Sequence, residues 1–210
     1  MDEIYNEFKR SVLQIRQISD VYTYLDSKIG LHNVDFNDIL RSQIVNIVSA
    51  LDRYLHEKVR KGICDIFLGN RGATAKFGSF ALSSETVLKI WGDEKLTDIQ
   101  REILINTAVT NGLKTLSFQQ SQKIKDALSY LWDEPHKISV IAREMGLPGT
   151  TDNDKRKYLI QKLDLLVERR NQIAHESDMC AGGKRDINQK DVEDSINFIE
   201  KFVNIINTHI

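Results

Sequence analysis

Within six residues in the last fifth of the chain, Arg170-Asn171-Gln172-Ile173-Ala174-His175 brings together a permanent cation, a carboxamide and an imidazole. These groups can hold a phosphodiester and move a proton. A guanidinium fork matches phosphate oxygens, and an imidazole, with an ordinary pKa of about 6.5, exchanges protons near neutrality. If the segment is helical, Asn171 and His175 lie one turn apart on a face that continues back through Glu168 and Asp164. Arg170 belongs to another row, Leu159, Leu163, Leu166, Arg170 and Ile173, in which every other member is apolar. Desolvating a guanidinium is costly, so this position predicts an interface, a carboxylate partner or a site for an anion.

The spacing by itself decides little. With twelve Arg and five His in 210 residues, an arginine followed five to seven places later by a histidine arises about once by chance. The surrounding elements carry the argument. The chain is 41% apolar and 28% charged with a net charge of −1, which suits one soluble domain spanning residues 1–210 and gives no global positive field for nucleic acid. Any RNA contact must therefore be local. Two prolines and abundant Leu, Ile, Lys, Glu and Gln predict an all-α fold, and no run approaches the roughly 18 apolar residues of a membrane span. Met1-Asp2-Glu3-Ile4-Tyr5 lacks the pattern of a secretory signal, and Cys64 and Cys180 stand apart without metal-ligand spacing, which predicts a cytoplasmic chain with free thiols.

Apolar spacing predicts a first helix over 3–28, ending before Gly30, and a second from about Asp35 to Lys61, stopped at Gly62. The polar row Ser42, Asn46, Ser49, Arg53, His56 and Arg60 on the second helix either lines a cleft, where Arg53 and His56 could meet RNA, or faces water. Three glycines make 69–84 a loop, either a plain connector or a basic flap carrying Arg71 and Lys76, and it lacks the Gly-Lys-Ser/Thr ending of a P-loop. A short helix over 85–91 follows. Thr97 with Gln100 and Ser117 with Gln120 match capping boxes for helices reaching about Thr115 and Trp132. Pro135 and Gly146 bracket another helix.

The motif helix is predicted from about Asn153 to Glu176, capped by Thr151 or Asp152. Lys155, Arg156, Lys157, Lys162, Arg169 and Arg170 make it the most basic stretch, able to touch a phosphate backbone. Ile138 to Leu147 has the look of a helix-turn-helix opening, but Asp152, Asp154, Asp164 and Glu168 on the next helix would repel DNA phosphates. A loop over 177–187, containing Gly182-Gly183-Lys184-Arg185, leads to a final helix capped near Asn188, with Val192, Ile196, Ile199, Val203 and Ile206 inward.

The string Leu166 to Glu176 resembles the signature of HEPN-domain ribonucleases, in which an Arg, an adjacent polar residue and a His after four to six intervening residues form the site. The string from Ile39 to Val59 is similar to an early helix of the RiboL-PSP-HEPN branch, also labelled MAE-type. The resemblance implies a helical bundle of long antiparallel helices with several short extra ones. It also implies a homodimer through the motif-helix face, a cytoplasmic setting, and a toxin-antitoxin, abortive-infection or antiviral role with a restraining partner protein. Packing of the early helix beside the motif helix would make Asp52 or His56 a supporting neighbour. The implied chemistry uses the ribose 2′-hydroxyl as nucleophile, with no metal and no cofactor. Arg170 would stabilise the phosphorane, His175 would transfer protons and Asn171 would orient ribose, phosphate or His175. Arg169 would touch the RNA backbone and Glu176 would support the imidazole. The alternative is a non-catalytic scaffold of the same fold that binds RNA or a protein.

Overall fold

A computed structural model describes residues 2–29, 36–114, 118, 120–180 and 182–210. The expected boundaries at Gly30 and Asp35 and the cap at Ser117 lie outside these residues. Helix α1 (Glu3–Tyr24) begins where Asp2 accepts the N–H of Tyr5 and runs into a π-turn at Leu25–Ile29. Helix α2 (Asn37–Phe67) follows, then α3 (Ser84–Trp91), α4 (Asp98–Leu113), α5 (Ser121–Leu128), α6 (Lys137–Glu144), α7 (Asp152–Glu176) and α8 (Gln189–His209). The fold is all-α, and among the described residues its strands form a small hairpin, β1 (Met179–Cys180) paired antiparallel with β2 (Gly183–Lys184). That hairpin lies inside the expected loop over 177–187.

Helix α2 is the axis of the molecule, with α1, α4, α7 and α8 packed on it. Leu40, Ile44, Ile47, Val48, Leu51, Leu55 and Val59 are buried as their spacing predicts, and one contiguous apolar cluster draws on α1 through α8. The expected stop at Gly62 is corrected: the helix continues to Phe67. Gly62 lies against Leu131, where an added Cβ would fall 2.0 Å from the Leu131 Cδ2, so this glycine permits a close approach and ends nothing.

Capping chemistry sets the other boundaries. Thr97 and Gln100 form the expected box at α4, Asn188 caps α8, and Thr151 caps α7 with Asp154 closing the box. Helix α5 starts at Ser121 and ends at Leu128, short of Trp132. Its first N–H is capped from another element, since Asp164 of α7 accepts both the Ser121 N–H at 3.0 Å and its hydroxyl at 3.1 Å. The 69–83 connector is no open flap. Arg71 donates to the Leu131 carbonyl at 2.7 Å and Lys76 sits over the Tyr130 ring, so both cations face the protein. Among the described residues no helix is long and apolar enough to cross a membrane.

Candidate active site

Leu159, Leu163 and Leu166 are buried against the bundle, and the next position on their row is the half-buried Arg170. Its Nη1 donates to the Asn171 Oδ1 at 3.0 Å, while its Nε is buried without a partner among the described residues. No described carboxylate comes within ion-pair distance of it, so the guanidinium is braced by a neutral amide and keeps its charge uncompensated. Five residues on, His175 is exposed. Five steps of about 100° leave it about 140° around the helix from Arg170, so within one chain the two side chains do not converge. Asn171 is thereby placed on the guanidinium.

The end of α7 is held by a buried charge cluster that sequence reasoning missed. After Glu176 the backbone takes two consecutive left-handed residues, Ser177 (φ 52°) and Asp178 (φ 60°), and the Gln172 carbonyl accepts the Asp178 N–H at 3.0 Å. The Asp178 side chain is fully buried. It accepts from the Arg41 Nε at 2.7 Å, and the Arg169 Nη1 lies 2.8 Å from its other oxygen. Arg41 further donates to the Arg185 carbonyl at 2.7 Å and to Asp38 at 3.1 Å, and Lys184 reaches both Asp38 oxygens at 2.8 Å. Burial opposes the Arg41 charge, but the bonds to Asp178 and Asp38 more than offset it, so its pKa is raised. The Lys184 bond, with the Arg41 bond behind it, holds the exposed Asp38 carboxyl below its usual range.

This arrangement changes the reading of several expected site residues. Arg169 has Nη1 on Asp178 and Nη2 on the Asp186 carbonyl at 3.1 Å, so those nitrogens anchor the helix end and are not presented to an RNA backbone. Lys162 shares the Arg169 face of α7, two turns earlier, and is half-buried. Asp52 accepts the Phe118 N–H at 3.0 Å, and His56 packs against the Phe118 ring in a tilted contact, centroid to centroid 4.4 Å. Ile173 and Ser177 of the motif region line a pocket with Asp38, Arg41 and Ser42. Asp52 is therefore ten residues and about 15 Å farther along α2, too far to support His175. Arg53 pairs with Glu7 of α1 at 2.6 Å, away from α7. Glu176 lines an open groove of about 480 Å³ with Asp164, Glu168, Asn171 and Gln172. Among the described residues that groove carries three carboxylates and no cation.

One signal could have exposed Arg41: it extends the apolar row Ile44, Val48, Leu51 and Leu55, the same anomaly that singled out Arg170. Nothing comparable marks Asp178. Among the described residues no group of three His, Cys, Asp or Glu is placed to hold a metal ion. No curated protein and no solved structure matches the chain. The model of the RiboL-PSP-HEPN family matches residues 6–210, and the helical bundle agrees with it. The chain belongs to the RiboL-PSP-HEPN family.

Proposed function

We propose that this protein is a metal-independent endoribonuclease acting as a homodimer. The observation that carries the reading is Arg170: a half-buried guanidinium on an apolar row, with a buried unpartnered Nε and no carboxylate beside it among the described residues. Such a charge is held ready for an anion. RNA supplies its own nucleophile. The 2′-oxygen forms a bond to phosphorus as the P–O5′ bond breaks, leaving a 2′,3′-cyclic phosphate and a 5′-hydroxyl. One proton leaves the 2′-hydroxyl and one reaches the departing 5′-oxygen. Arg170 stabilises the charge on the phosphorane, Asn171 keeps the guanidinium in place, and His175 transfers a proton.

Two features support a site completed by a second copy. One imidazole serves one of the two proton transfers, and Arg170 and His175 of one chain point to different sides of α7. A two-fold axis along the motif face would supply both sets to one cleft. A toxin-antitoxin or antiviral setting, with a partner protein restraining the cleavage, fits this chemistry. The purified protein is expected to cut single-stranded RNA in EDTA and to leave cyclic phosphate ends detectable by mass spectrometry. His175→Ala should lower the rate by about 10² to 10⁴. Undiminished cleavage by a folded, dimeric His175→Ala protein would refute the assignment.

A specific observation favours a second reading. Asp164, Glu168 and Glu176 line the groove beside Asn171, a surface that repels phosphates and suits a basic protein segment. On this reading the chain is a non-catalytic scaffold, its binding survives His175→Ala, and no cleavage appears at any protein concentration.

A further inference from the structure

Toward the start of α7, far from the Arg-His string, α5, the first turn of α6 and the first turns of α7 enclose a cavity of about 370 Å³. Lys125, His136 and Arg156 line it, and among the described residues no carboxylate does. This is the reverse of the groove beside Asn171, although the two share Ser121 and Gln122. Acidic neighbours are engaged elsewhere: Glu134 accepts the His136 N–H at 2.8 Å, and Asp126 accepts the Gln122 carboxamide at 3.1 Å. Arg156 has only the Asn153 carboxamide, at 3.3 Å, as a described hydrogen-bond partner.

The rest of the lining completes the chemistry. His136 provides no side-chain cap for α6, so first-turn N–H groups of that helix add positive potential at the rim, where Ile138 and Ser139 line the cavity. Pro135, Ile138 and Ile160 give an apolar wall for a ring. The volume lies within the range of small-molecule sites, whose form is an apolar wall with a few convergent polar groups.

We propose that this cavity binds the phosphate of a mononucleotide, free or at the end of an RNA strand, with Lys125 and Arg156 on the phosphate and the base against Pro135, Ile138 and Ile160. Arg156 precedes Arg170 by fourteen residues, about 21 Å of helix, so the site is separate from the cleavage motif. It does not depend on the ribonuclease reading.

Titration calorimetry on the full chain tests it with four probes: AMP, adenosine, and a 2′-O-methyl RNA trimer with and without a 5′-phosphate. AMP is expected to bind at least about tenfold more tightly than adenosine. Lys125→Ala and Arg156→Ala change exposed side chains, so both proteins should fold, and each should weaken AMP binding about tenfold. A phosphorylated trimer that binds with the same sensitivity to both substitutions makes a strand end the ligand; AMP binding without trimer binding makes it a free nucleotide. His175→Ala should leave AMP affinity unchanged whether or not cleavage exists. Failure of AMP to bind at millimolar concentration, or binding indifferent to both substitutions, overturns the proposal.

Discussion

Asp178 holds two arginines from opposite ends of the sequence while its own backbone sits in the left-handed region. That conformation costs a non-glycine residue about 1 to 2 kcal/mol, and the buried charge cluster offsets it. Removing the carboxylate leaves the Arg41 guanidinium buried with only part of its compensation, the situation in which breaking a buried pair costs about 3 kcal/mol or more. Asp178→Asn should therefore lower Tm by roughly 6 to 12 °C in calorimetry. Adding Arg41→Met should restore part of the loss, because the stranded charge goes with it. A double variant as unstable as the sum of its parts would mean that Asp178 and Arg41 are not coupled.

Gly62 shows how an element can mislead when read from sequence. Alanine favours helix over glycine by about 1 kcal/mol, yet here its methyl would collide with the buried Leu131 side chain, and overpacking costs about 1 to 3 kcal/mol. Gly62→Ala is expected to destabilise the protein by roughly 1 kcal/mol in urea unfolding, and Gly62→Ala with Leu131→Ala should be less unstable than the two changes summed. Signals confined to a few neighbouring residues were legible. The apolar rows of α2, α7 and α8, the Thr97–Gln100 box and the Asn188 cap all translate into structure because each depends on residues within one or two turns. Features that depend on a distant partner were not legible. The passage of α2 through Gly62 depends on Leu131, the start of α5 on Asp164, and the fate of Arg169 on Asp178, which has no sequence pattern of its own. At the site, Arg170 was readable as an anomaly in an apolar row. The partners of Arg53, Asp52 and His56, Glu7 of α1 for the first and Phe118 for the other two, were not, because periodicity gives a face of a helix without saying which neighbour covers it.

For the molecule as a whole, the outward side of α7 carries His175 and, about 15 Å earlier, Leu165, which is 53% exposed. An exposed leucine on the helix that bears the motif suits a face covered by a second copy. Leu165→Glu should shift the protein from dimer to monomer in sedimentation, lower cleavage at least about tenfold, and leave the helical circular-dichroism spectrum unchanged. A variant that stays dimeric, or a wild-type protein that is already monomeric, would move the shared cleft elsewhere or remove it. The tie between Asp164 and the first turn of α5 also bears on regulation. With Asp178 clamped at one end and Asp164 spoken for at mid-length, α7 can neither swivel nor slip by a residue without uncapping a neighbour and stranding two guanidinium groups. If the proposed dimeric nuclease is right, the helix that carries Arg170 and His175 has no internal off-position, and whatever silences it must come from outside, by shielding the face or by parting the two subunits.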